Sequence, residues 1–422
     1  MKPKIITTLA SYDRHQFSAD VIAGITVAMV ALPLSLAIAI ASGAGPEKGL
    51  VTAIVAGLLI SLLGGRRVQI GGPTGAFIVV VYGVIATHGY DGLVLATLMA
   101  GVIMLIAGYL KAGNLVAFVP EPVINGFTIG IGVIIATSQL KDIFGLTVAE
   151  VPAEFIAKIQ TLWGARDGVN GGALLIGVVT MVLIVSLRRL APRFPGLIVA
   201  VGVTSLACVL FALPVDTIQS RFGALPSTLP MPALPDISLA RMVELLPSAL
   251  IIAFLASIES LLSAMVADRM IDGRHRPNAE VLAQGFANIG SALFGGLPAT
   301  GAIARTATNV RAGGKTPVAG VVHALTILLV MLVAAPLAGC LAMPALAGLL
   351  ILTAWNMSEP HKWRGYMRLP RISDRVLLVL TLVLTVLADL TVAIGVGVFI
   401  GLALRLRRHN VGMEKDWTPP ER

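Results

Sequence analysis

Long apolar runs bounded by charges or by Gly and Pro recur along the chain, with little of the strict alternation that marks a half-buried strand. Twelve lie near 19–42, 49–64, 91–110, 122–138, 170–187, 196–213, 244–266, 281–294, 317–336, 342–356, 374–388 and 389–405. A spanning helix needs about 20 residues, so each reads as a crossing or most of one. Two shorter apolar segments, 74–87 and 300–311, cannot cross alone. Each follows a glycine-rich extended stretch, VQIGGPT (68–74) or FGGLPAT (294–300), so a short strand and a half-helix together would make one crossing. The pattern predicts an all-α polytopic membrane protein of fourteen transmembrane segments.

Composition agrees. With 56% of its 422 residues hydrophobic and 13% charged, the chain falls outside the range of soluble domains, where roughly a quarter of residues are charged. The net charge of +9 would suggest nucleic acid in a soluble protein. Here it sorts by side instead. With a cytoplasmic N-terminus, twenty-four of the 31 Lys and Arg fall on the cytoplasmic side and six on the other, the bias expected of a plasma-membrane protein with both termini inside. One cation, Arg305, is left at membrane depth.

Other chemistry is sparse. Cys208 and Cys340 both lie in apolar runs and read as small buried hydrophobes. The six histidines have no metal spacing, and of them His323 alone lies within a span. No cofactor is expected. The absence of a nucleophile and base pair, or of an HExxH helix, argues against an intramembrane enzyme. The polar start MKPKIITTLASYDRHQFSAD carries no cleavable signal, so the first helix is expected to stay as a span.

The two short segments resemble each other. GGPTGAF begins at Gly71 and GGLPATGAI at Gly295, 224 residues later. An element recurring seven crossings on must run the opposite way, which is the mark of an inverted repeat. Transporters built so place their substrate at mid-depth, where half-helix N-termini present unpaired N–H groups and partial positive charge to a cavity. Two such ends would attract an anion. Pro73 and Pro298 stop any preceding helix, and Thr74 and Thr300 are suited to be N-caps. Arg305 would stand about a turn and a half into the second half-helix, paired with an anion or a carboxylate. Glu259, in AFLASIESLLSAMVAD (253–268), is its acidic counterpart: it would carry a proton, or hold Arg305 in a fixed pose. Asp268 is expected at the cytoplasmic face and Asp389 in an outer turn, while Glu121 reads as a loop or an interfacial charge.

These motifs carry a family resemblance. DVIAGITVAMVALPLSLAIAIASGAGPEKGL (20–50), GGPTGAF, VPEPVINGFTIGIGV (119–133) and the stretch from IESLLSAMVADRM to VRAGGKTP (258–317) resemble the SulP anion transporters, which include sulfate permeases, pendrin and prestin. The likeness implies a seven-plus-seven inverted repeat in a transport domain of residues 1–405, with repeats about 18–213 and 244–405. It implies a core domain (about 18–138 and 244–336) that carries anion past a gate domain (about 170–213 and 342–405) by an elevator-like displacement. The implied substrate site combines Pro33, Leu34 and Ile38 with Gly75, Ala76 and Phe77 and with Thr300, Gly301, Ala302, Ile303, Ala304, Arg305 and Thr306. A homodimer is a further implication.

Where many members read Ser-Arg this chain has Ala304-Arg305, and where many read Pro-Gln it has Pro33-Leu34, with Ile38 in place of a frequent aromatic. A site short of side-chain donors, with Leu34, Ile38, Ala76, Phe77, Ala302 and Ala304 lining its cavity, argues against a strongly hydrated inorganic anion. The wording PATGAIARTATNVRAG is similar to a bacterial branch associated with C4-dicarboxylates. The expectation is therefore proton-coupled symport of fumarate or succinate, with Glu259 as the proton site. Transport or exchange of sulfate, bicarbonate or chloride, or an uncoupled anion channel, is the alternative. Residues 406–422 are too short to form the STAS domain with which the family normally ends, so the expectation is that this domain lies beyond this sequence, the alternative being that the protein lacks it.

Overall fold

Apolar segments in lipid must satisfy their own backbone, and the computed structural model answers with helices. It describes residues 3–9, 12–113, 120–148, 151–191, 195–271, 273–367 and 372–388, with a few residues between 392 and 400. The main elements are α1 (Arg14–Ala41), α2 (Pro46–Leu63), β1 (Gly71–Gly72), α3 (Ile78–Tyr109), α4 (Glu121–Ser138), α5 (Gly171–Leu190), α6 (Gly196–Leu210), α7 (Leu239–Met270), α8 (Pro277–Leu293), β2 (Thr300–Gly301), α9 (Ile303–Arg311), α10 (Val318–Gly339), α11 (Met343–Met357) and α12 (Ile372–Leu387).

Local chemistry sets the boundaries. The Asp13 carboxylate accepts from Gln16 N at the head of α1, the Asn170 side chain from Gly172 N and Ala173 N at α5, and Ser238 from Arg241 N at α7. These are the acceptors that orphan first-turn N–H groups require. Pro46 and Pro277 begin α2 and α8, where a missing N–H costs nothing. Segments 74–87 and 91–110 join end to end, as a 3₁₀ turn (Gly75–Phe77) running into α3. The join is broken at Gly89, whose φ of 69° a residue with a side chain rarely adopts.

Thirteen of the fourteen expected segments fall on these elements. The fourteenth, 389–405, lies mostly outside the described residues, as do Asp389 and the tail 406–422. Seven of the described helices are long and apolar enough to cross a bilayer unaided. On α5, Leu175, Val178, Val182 and Val185 face outward, as do Leu325, Leu329, Leu332 and Val333 on α10. Such stripes, a liability in water, suit contact with acyl chains.

Packing sorts the helices into two sets. In one, α3 lies on α7 and α8, while α1, α2 and α10 pack together and α9 is wedged between α7 and α1. In the other, α11 joins α5, and α5 packs on α6. Helix α4, expected with the core, instead packs on α12 and α11. Gly126 and Gly130 explain this preference: each lets the α12 backbone approach α4 where a Cβ would meet Leu378, Thr381 or Thr385. Cys340, expected to be buried, is exposed at the end of α10.

Candidate functional site

Two pairs of residues bring the repeats together. Gly71 pairs with Gly301 and Gly72 with Thr300 in an antiparallel ladder. Because the strands run oppositely, the turn at Gly75 and helix α9 leave them in opposite directions, with their N-termini toward the crossing. The first-turn N–H groups of a helix have no partner within it. They carry part of the helix dipole, so the crossing is a place of positive potential.

Extended backbone at this depth needs other partners, and buried side chains supply them. Asn309 Nδ2 donates to the Val68 carbonyl (2.8 Å), and Ile70 N donates to Thr306 Oγ1 (3.1 Å). Asn288 clamps Ala299, donating from Nδ2 to its carbonyl (2.8 Å) and accepting at Oδ1 from its N–H (2.9 Å). Ser291 Oγ donates to the Leu297 carbonyl, and Leu297 N donates to Thr52 Oγ1. Each group left unpaired in lipid would cost several kcal/mol.

Arg305 closes the crossing. Its side chain, 1% exposed, donates from Nη2 to Ser35 Oγ (3.1 Å) and the Pro73 carbonyl (3.0 Å), and from Nη1 toward the Gly71 carbonyl (3.5 Å). These partners are a hydroxyl and two carbonyls, and Glu259 is not among them. Holding Arg305, one of the two roles open to Glu259, is thus not its role here: Ser35 and two backbone carbonyls hold the guanidinium. The glycine at Gly72 is needed, because φ there is +150° and a Cβ would collide with Arg305 Nη1.

The remaining expected residues divide. Pro33 is buried within α1. Ile38, Ala76 and Phe77, expected to line a cavity, are closed in the hydrophobic core at 2% exposure each, because α1 and the first half-helix pack directly on one another in this conformation. Leu34 is half-buried, and so is Ile303, while Ala304 is exposed. Ala302 is 7% exposed and Gly301 is buried. Gly75 lies under the α11 side chain of Met357, whose Sδ would be 3.0 Å from a Cβ at that position.

Thr300 does not cap. It lies in β2 with its hydroxyl donating to the Ala256 carbonyl (2.8 Å), and Ala302 takes the N-cap position of α9. Arg305 accordingly stands in the first turn of α9, closer to the N-terminus than expected. Thr74 caps in position, but its buried Oγ1 has no partner. Glu259 is 9% exposed on α7, one turn before Ser263, whose hydroxyl donates to Thr306 Oγ1 (3.2 Å). Glu121 opens α4 instead of a loop. Asp268 pairs with Arg66 (2.9 Å) and with His275 Nδ1 (2.7 Å).

Sequence reasoning missed Ser35 and a buried ladder on α8. Glu280, wholly buried, accepts from Gly65 N (2.8 Å), Ser260 Oγ (3.0 Å) and Gln284 Nε2 (2.9 Å), and Gln69 Nε2 donates to the same Ser260 Oγ (2.7 Å). The signal was present in the spacing. Glu280, Gln284, Asn288 and Ser291 recur at i+4, i+8 and i+11, one polar stripe on a helix.

Comparison with known proteins fits this geometry. Residues 17–381 match the family described as "Sulfate permease family". The chain is 43% identical over 398 residues to YvdB of Bacillus subtilis, named as a candidate sulfate transporter, covering 94% of this chain and 75% of that one. It is 34% identical over 412 residues to the bicarbonate transporter BicA of a Picosynechococcus species, covering 94% and 71%. Among solved structures, the transmembrane domain of a cyanobacterial BicA superposes with a TM-score of 0.79 at 29% identity, covering 93% of this chain and 98% of that one. The SLC26A9 structure superposes at 0.87 with 18% identity over 96% of this chain and 68% of its own, a likeness of fold. The match over residues 17–381, carried by a shared fold, places the chain in the sulfate permease family, as a multi-pass membrane anion transporter.

Proposed function

We propose that the chain moves a small oxyanion, bicarbonate or sulfate, through alternating exposure of a site at the crossing of the two half-helices. One observation carries this reading: the N-termini of the turn at Gly75 and of α9 converge on a crossing that holds the buried guanidinium of Arg305. The guanidinium supplies charge while Nη1 and Nη2 donate to Gly71, Ser35 and Pro73, which leaves its buried Nε–H without a partner among the described residues. Direct donors to the anion are then the first-turn N–H groups of Ile303 and Ala304 and those of Gly75 and Ala76, joined by the Thr74 hydroxyl.

Such a site suits a compact anion. A C4-dicarboxylate has a second carboxylate some way from the first, and both terminal nitrogens of Arg305 already donate to protein oxygens, which leaves Nε–H in place of a terminal bidentate fork to receive it. The names of the relatives point to sulfate and bicarbonate, so the expectation of fumarate or succinate gives way to its alternative. The movement follows the packing: α3, α7, α8 and α9 shift as one body against α4, α5, α6, α11 and α12, and Met357 withdraws from Gly75. Glu259, a turn from the Ser263–Thr306 bond, is the residue proposed to couple a proton to that movement. The cation bias supports a cytoplasmic position for both termini.

The test is uptake into proteoliposomes with a competition panel of bicarbonate, sulfate, fumarate, succinate and chloride. Saturable uptake of bicarbonate or sulfate, uninhibited by the dicarboxylates, is expected. Uptake of fumarate that inorganic anions do not inhibit would restore the dicarboxylate reading. Macroscopic anion currents without saturation would replace transport with conduction.

A further inference from the structure

A second basic site lies away from the crossing. A cavity of about 480 Å³ is lined by Thr8 of the N-terminal segment, by Gln16 in the first turn of α1, by Arg67, by Asp268, Arg269, Met270 and Ile271 at the end of α7, and by Gly314, Lys315 and Thr316 beyond α9. Three cations therefore reach one concavity from three separate stretches of chain. Its one carboxylate is already engaged, since Asp268 pairs with Arg66 and with His275. The neighbouring acid, Asp20, is likewise occupied: Oδ1 accepts the N–H groups of Lys315 and Thr316, and Oδ2 accepts from the Tyr12 hydroxyl. The Lys315 ammonium and the Gln16 amide make no hydrogen bond to other described residues.

A bias of cations toward one side of the membrane would scatter them over that face. It would not focus three of them on a cavity whose acids are already engaged by other partners, where field lines concentrate and counter-ions gather. We propose that this cavity binds a phosphate group, borne by an anionic lipid headgroup or by a soluble phosphate compound. Arg67 and Arg269 present planar forks suited to phosphate oxygens, and Lys315 a point charge. Position gives occupancy a consequence. Arg67 is four residues before β1 and Lys315 four after the end of α9, while Lys4 N is bonded to the Gly64 carbonyl (3.0 Å). A phosphate held there ties the N-terminal segment to both strands of chain that enter and leave the crossing, and steadies the body that carries the anion.

The experiment uses the full chain in nanodiscs, with Arg269→Gln/Lys315→Gln as the variant; both residues are exposed, so it is expected to fold. Thermal unfolding is followed in phosphatidylcholine discs during titration with inorganic phosphate, against chloride of equal ionic strength, and in discs containing phosphatidylglycerol. A saturable rise in Tm with phosphate in neutral discs identifies a soluble ligand. A rise with phosphatidylglycerol, and none on adding phosphate, identifies the headgroup. In either case the double variant should need about tenfold more ligand, or show no rise, the scale of one lost charge-assisted contact. Equal responses of the wild type and the variant, or no response of the wild type to either source, would overturn the proposal.

Discussion

Arg305 donates to Ser35 Oγ across 3.1 Å, although 270 residues separate the two in sequence. This bond ties the second half-helix to α1 and sets where the guanidinium charge stands. Ser35→Ala removes one partner from a buried cation, a loss of about 1 kcal/mol or more, and initial uptake into proteoliposomes should fall about fivefold. Arg305→Lys keeps the charge but cannot reach Ser35, Pro73 and Gly71 at once, and its uptake should drop below a tenth of wild type. Wild-type rates in the lysine variant would show that charge alone suffices.

Gly72 faces the same guanidinium. A Cβ there collides with Arg305 Nη1, and a φ of +150° is one that alanine rarely adopts. Gly72→Ala should therefore displace Arg305 and abolish uptake. Gly83, whose Cβ would meet nothing within 4 Å, is the control: Gly83→Ala should transport normally. Retained uptake in Gly72→Ala would mean that the ladder tolerates a wider separation than the structure shows.

The sequence disclosed the half-helices because their punctuation is local. Gly71 and Gly72 weaken a helix and Pro73 stops one, and an arginine inside an apolar run stands out unaided. It could not disclose partners. Nothing in the neighbourhood of Ser35 names Arg305, and the hydroxyl of Thr300 suits a cap as well as it suits the Ala256 carbonyl. The repeat also misleads by a few residues. The motifs align at Gly71 and Gly295, whereas the ladder pairs Gly71 with Gly301, because the second repeat spends additional residues, Leu297 to Ala299, on the contacts made by Asn288, Ser291 and Thr52. Helix α4 shows the other limit. Its glycines are visible in the sequence, but whether they admit a core or a gate neighbour is decided only by the packing against α12.

Glu259 tests the coupling. If it exchanges a proton during the cycle, wild-type uptake should rise as the outside is acidified, and Glu259→Gln should transport at a rate nearly independent of that gradient. The amide keeps the shape and most hydrogen-bonding capacity of the acid, so uptake itself should survive. A gradient dependence unchanged in the glutamine variant would assign Glu259 a structural role on α7.

At the head of α1 the Tyr12 hydroxyl donates to Asp20 Oδ2 (3.0 Å). Burial, and then the Asp20 charge, push the phenol up to about 12 from an ordinary 10. A raised folded-state value favours the protonated phenol, so the bond contributes fully below pH 10 and is lost as pH climbs from 10 toward 12. Thermal unfolding of the wild type should weaken through that interval, and Tyr12→Phe should start a few degrees lower and lose that part of the slope. Parallel curves for the two proteins would show that Tyr12 does not contribute through its hydroxyl.

Lys158 joins the two sets of helices. It lies on the short helix Phe155–Gly164, 4% exposed, and its ammonium donates to Ser138 Oγ (2.9 Å) at the end of α4. The same ammonium stands 5.5 Å from the centre of the Tyr82 ring on α3, whose hydroxyl donates to the Val151 carbonyl. One cation thus clasps a helix proposed to move to one proposed to stay. If the core shifts against the gate, the clasp must open, and its strength biases the resting state. Lys158→Met keeps the apolar stem but loses a hydrogen bond and a cation–π contact, each about 1 kcal/mol. Together they amount to roughly a thirtyfold change in the balance between states. Spin labels on α3 and α4 should report a second distance population in Lys158→Met that the wild type lacks. Identical distance distributions would mean that α3 and α4 move together, and the division into a travelling core and a fixed gate would have to be redrawn.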